Sequence, residues 1–124
     1  MAINHRLSLL LAFFLVALLG TAEAQTQVTE LPEVQTSRTL SAVVQDPAGA
    51  AVPGAIVEEF SPDWKVSWRT GRTGPDGRFV LAAIGPRKIY YLQITAPGFK
   101  KLHLKMQLNP KLESTLKLKL EKAT

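Results

Sequence analysis

The chain has 124 residues, a formal net charge of +5 and no cysteine. Disulfide staples, a thiol nucleophile, cysteine-based zinc sites and the lipid-bearing cysteine of a bacterial lipoprotein are therefore excluded. The length admits one domain with one core, which has to rest on its own packing.

Reading begins with a leader. Arg6 supplies a positive start, residues 7–20 form an apolar or small run, and Ala22-Glu23-Ala24 offers an A-x-A cleavage site. The run is short for a membrane span and fits a secretory signal peptide over residues 1–24, with Gln25 as the new N-terminus. No second run of spanning length follows, so the mature chain is expected to be secreted, to periplasm or exterior, with no membrane span. Residues 25–38 are polar, lack sustained periodicity and read as a lead or linker.

Residues 39–124 read as a single domain whose signals are all of one kind. A β-prone run at 39–45 is stopped by Asp46-Pro47-Ala48-Gly49, and a second at 55–60 by Ser61-Pro62-Asp63. Trp64-Lys65-Val66-Ser67-Trp68 alternates. Thr73-Gly74-Pro75-Asp76-Gly77 then forms a turn: Pro75 presets φ, Asp76 bonds nearby backbone and Gly77 accepts positive φ, as in a hairpin tip. Strands follow at 78–81, 89–96, 102–108 and 116–120. Seven short strands fenced by Pro, Gly, Asn and Asp, with no helical period, predict an all-β antiparallel sandwich or barrel. Val43, Ala55, Val57, Phe79, Leu81, Tyr90, Leu92 and Ile94 are the expected inward residues, and Phe99 is expected to plug one end.

Three blocks resemble the carboxypeptidase regulatory-like domain family. Residues 43–57 are similar to its opening strand, Asp-x-x-Gly turn and Pro-x-Ala-x-Val; Thr73-Gly74-Pro75-Asp76-Gly77-Arg78-Phe79 resembles its Thr-Asp-x-x-Gly-x-Phe turn; residues 90–99 resemble its Tyr-x-Leu-x-Val-x-Ala-x-Gly-Phe segment. Gly74 stands where the family often has Asp, and Gly85-Pro86-Arg87-Lys88-Ile89 departs from the usual Pro-Gly before the Tyr strand. The resemblance implies a transthyretin-like, seven-stranded Greek-key sandwich without catalytic residues, accompanying peptidases, outer-membrane receptors or adhesins as a binding or folding module. The Tyr-Arg-Gly-Ser terminus of the urate-pathway hydrolase that shares this fold is absent.

The chemistry-bearing residues are sparse. His103 is the one histidine beyond the leader, and a triad needs a nucleophile, a base and an orienting acid together. Glu58 and Glu59 point to opposite faces of a strand and cannot act as a pair. No enzyme, metal site or cofactor is expected. Trp64 and Trp68 would share a strand face about 13 Å apart at about 3.3 Å per residue, either as a core stripe with Val66 or as a sugar-stacking platform. Residues 25–64 carry one basic and six acidic side chains, while residues 65–124 carry thirteen basic and three acidic. Lys101, His103, Lys105, Lys117 and Lys119 alternate with Leu102, Leu104, Met106, Leu116, Leu118 and Leu120. If those two strands were adjacent they would form one basic face, solvated or docking an anion. No aromatics interleave with these lysines, so nucleic acid is not an expected partner. The candidates are an envelope protein, a glycan or an anionic polymer or lipid, met by a monomer.

Overall fold

The structure is a computed structural model that describes residues 27–84 and 89–124. The expected leader and residues 85–88, where the family resemblance departs from the usual pattern, lie outside the described residues. Nine strands follow in chain order: β1 Val28–Glu30, β2 Gln35–Ser37, β3 Ser41–Gln45, β4 Ile56–Phe60, β5 Ser67–Arg72, β6 Arg78–Val80, β7 Tyr90–Thr95, β8 Lys101–Leu108 and β9 Lys117–Lys119. Among the described residues there is no helix, and none therefore long and apolar enough to cross a membrane.

The strands form two sheets. The larger runs β1-β8-β7-β4-β5, with β2 also on β8; the smaller runs β6-β3-β9. Alternation along each strand sends one set of side chains between the sheets. Val57, Tyr90, Leu92, Ile94, Leu102, Leu104 and Met106 of the large sheet meet Leu40, Ala42, Val44, Phe79, Leu118 and Leu120 from the small-sheet side, all buried. Each buried Val, Leu, Ile, Phe or Met side chain contributes about 1.5–3 kcal/mol. Phe99 packs against this cluster, bridged to Lys122, as expected for an end plug.

The seven expected strands are β3 to β9, with several differences in detail. Pairing is mixed: β1 and β2 run parallel to β8, and β9 parallel to β3. The stretch read as a lead does not hang free, since β1 and β2 cover the outer edge of β8 and satisfy backbone groups an open edge would expose. In β3 the inward residues are Ala42 and Val44, while Val43 lies half-buried on the other face. Consecutive valines leave the phase of alternation open, and the pairing of β3 between two partners decides it.

The Thr73–Phe79 turn also differs. Gly77 N–H donates to Gly74 O at 2.9 Å, Gly74 N–H donates to Arg78 O at 2.9 Å, and Arg78 N–H donates to Asp76 Oδ1 at 3.0 Å. This is a tight turn, yet its flanking strands β5 and β6 belong to different sheets. It is a corner between the layers of the sandwich, not the tip of a two-stranded hairpin. Thr73, buried, fastens it: its Oγ1 donates to Val52 O at 2.7 Å and accepts from Ala55 N–H at 2.8 Å.

Candidate functional site

The basic residues do not share one surface. β8 lies in the large sheet and β9 in the small one. Both strands direct their apolar side chains into the same core, so Lys101, His103 and Lys105 face out on one side of the sandwich and Lys117 and Lys119 on the other. Alternation had correctly separated apolar from charged residues, but it carries no information about which strand is the neighbour.

The tryptophans are also placed differently from the alternating strand expected at 64–68. β5 begins only at Ser67. Before it, residues 61–66 form a loop held by its own polar groups: Ser61 Oγ donates to Asp63 Oδ1 at 2.6 Å and accepts from Val66 N–H at 3.0 Å, and Ser61 N–H donates to Val66 O at 2.8 Å. Short polar side chains that bond nearby backbone compete with strand formation. The Ser61 hydroxyl, and after it the Lys65 N–H that donates to Asp63 Oδ1 at 3.1 Å, hold the Asp63 carboxyl below its ordinary value. Trp64 sits in this loop at φ 62°, the one positive-φ residue other than glycine among those described.

That backbone folds the indole back over the outer face of the large sheet. Its ring stacks on His103 at 4.1 Å between centroids with an 8° interplanar angle. It meets Tyr91 edge-on at 5.7 Å and Phe60 at 5.9 Å. Phe60 and Tyr91 are cross-strand partners, and Tyr91 faces Lys105 on β8. Aromatic pairs at such separations add about 0.5–1.5 kcal/mol each beyond area burial, the scale needed to offset a non-glycine residue at positive φ, which costs about 1–3 kcal/mol. Trp68, by contrast, is 46% exposed at the start of β5, where the register against β4 shifts. Neither tryptophan is a core residue, and they do not form a single stripe with Val66, itself 53% exposed.

A polar row crosses the sheet beneath the indole. Ser67 Oγ donates to Glu58 Oε2 at 2.9 Å, Gln93 Nε2 donates to Glu58 Oε1 at 3.4 Å, and His103 Nε2 lies 2.8 Å from Gln93 Oε1. Because that oxygen only accepts, Nε2 carries the proton and neutral His103 leaves Nδ1 bare. Nδ1 is buried without a hydrogen-bond partner, 3.8 Å from Glu30 Oε1 on β1. Burial pushes the His103 pKa below its ordinary value of 6.5; Glu30 opposes the shift and Lys101 adds to it. A cleft of about 370 Å³ opens beside the ring, lined by Glu30, Leu31, Pro32, Trp64 and Lys105.

Sequence reasoning missed one charged pair. Glu59 lies on the inward face of β4 with Val57, fully buried, and accepts from Arg69 Nε of β5 at 2.7 Å. The alternation that separated Glu58 from Glu59 already placed Glu59 inward. What was absent was the register: alternation put Arg69 on the face opposite the tryptophans, but not which strand, or which residue of it, lies beside it.

Among the described residues, no three of His, Asp and Glu gather as a metal site would require. A comparison with curated proteins finds no significant match. A scan against family models matches residues 39–121 to the carboxypeptidase regulatory-like domain, the span that holds the core strands, the Thr73 corner and the Trp64 loop. The chain belongs to the carboxypeptidase regulatory-like domain family, whose members are non-catalytic sandwich modules.

Proposed function

We propose that this protein is a secreted, non-catalytic binding module of a bacterial envelope. Its partner is a glycan taken on the outer face of the large sheet, around Trp64 and toward Trp68. The observation that carries the reading is Trp64 itself, held at φ 62° and stacked on His103. A strained aromatic on a solvent-facing sheet surface serves no core, and indole faces bind the apolar faces of sugar rings. The polar row of Glu58, Gln93 and His103 supplies donors and acceptors beside it, as small-ligand sites require.

A panel of soluble glycans, titrated while Trp fluorescence is followed, tests the reading. One member should quench emission saturably, Trp64→Ala should abolish the effect, and Trp68→Ala should weaken it. An unchanged spectrum across the panel would count against the glycan platform.

The opposite face supports a narrower form of anion binding. Arg78 and Lys117 flank Val43, and Lys119 pairs with Gln45, with no acid in those registers. Envelope association that vanishes as salt rises, and is lost on changing Arg78, Lys117 and Lys119 to Gln, would favour this face over the glycan platform.

A further inference from the structure

The large sheet's outer face has a second end, away from Trp64. There a depression of about 710 Å³ opens, lined by Ile56, Pro97, Phe99 and Ala123 with Arg72 and Lys101. That volume lies within the ~300–1,000 Å³ range of small-molecule sites. No carboxylate lines it, although the clefts at Thr70 and Trp64 each include a Glu.

The sheet register explains the arrangement. Ile56 pairs with Arg72 on one side and Thr95 on the other, and Ile94 pairs with Leu102, so the next step sets Thr95 beside Lys101. The row Arg72–Ile56–Thr95–Lys101 thus crosses four strands, with a cation at each end and an apolar side chain and a hydroxyl between. Three interstrand spacings of about 4.8 Å separate the end backbones by about 14 Å. Neither Arg72 nor Lys101 makes an ion pair among the described residues. The Pro97-Gly98-Phe99 turn forms one wall. The chain end braces it, with Ala123 N–H donating to Gly98 O at 3.0 Å and Lys100 N–H to Glu121 O at 2.8 Å.

We infer that this depression binds an elongated organic dianion with an apolar middle, one carboxylate against Arg72 and the other against Lys101. The apolar floor takes the body of the ligand, and the two cations fix its length and orientation. A neutral molecule of the same shape gains only the floor, and a monocarboxylate only one end.

Calorimetric titration of the secreted chain with decanedioate, decanoate and decanediol tests this. Decanedioate should bind saturably, decanoate about tenfold more weakly and decanediol more weakly still, a charge-assisted hydrogen bond being worth about one such factor. Arg72→Gln and Lys101→Gln, each confirmed folded by circular dichroism, should each bring decanedioate down to the affinity of decanoate. Trp64→Ala should leave it unchanged, which separates this site from the glycan platform. Decanediol binding as tightly as decanedioate, affinities indifferent to both substitutions, or no heat from any of the three would overturn the proposal.

Discussion

Gly77 meets two demands at one position. Its φ is +76°, and a Cβ built there would lie 2.6 Å from Val44 O and 3.1 Å from the Cβ of Ala51. The turn chemistry was legible in the sequence; the close approach was not, because it depends on β3 lying across the corner, where Val44 N–H donates to Gly77 O at 2.8 Å. Positive φ alone costs a β-branched residue about 1–3 kcal/mol, and displacing packed backbone adds about as much again. Gly77→Val is therefore expected to destabilise by about 3–5 kcal/mol in chemical denaturation, whereas Asp76→Ala, which loses one exposed bond to Arg78 N–H, should cost about 1 kcal/mol or less. His103 yields a second expectation. Because its folded pKa lies below the ordinary 6.5, the unfolded chain binds more protons in that range. Its stabilising effect is thus complete above the ordinary value and is lost as pH falls through the folded-state value. Melting temperature should fall on acidification from neutrality, and His103→Gln should flatten that decline. A wild-type profile identical to that of His103→Gln would remove the ring from the account.

At the scale of elements, β4 and β5 are joined by a buried ion pair as well as by backbone. Removing one partner of a buried charge is destabilising, by up to about 3–5 kcal/mol, while replacing both members of such a pair with apolar residues is often neutral. Arg69→Met should therefore lower stability sharply, and adding Glu59→Leu should restore most of it; additive losses in the double variant would show that the two do not act together. Elements were legible in proportion to the length of their alternation. β8, with eight residues, was found almost to the residue. β1 and β2, with three residues each, carry too short a pattern to separate from a linker, and their strand state comes from pairing with β8 across a long stretch of sequence. The 64–68 run alternated well and still formed a loop up to Val66, because Ser61 and Asp63 satisfy the local backbone before a strand can.

For the whole molecule, two apolar faces closing on one core were written in the sequence, but the assignment of strands to sheets was not. That assignment splits the basic residues between opposite surfaces and dissolves the single lysine face. It also explains part of the charge asymmetry along the chain. Acidic residues of the first half stand beside polar or basic residues of the second: Glu59 with Arg69, Glu58 with Gln93, Glu30 near His103. What remains is a sandwich whose large outer face carries an aromatic cluster at one end and a pair of cations at the other. The claim that this face is the binding surface is tested most directly by an amide map of the isotope-labelled chain titrated with the soluble glycan panel. The account predicts shifts concentrated at Phe60, Trp64, Tyr91, Gln93 and His103, saturating together and absent in Trp64→Ala. Shifts centred instead on Val43, Arg78, Lys117 and Lys119, or none with any glycan, would contradict it.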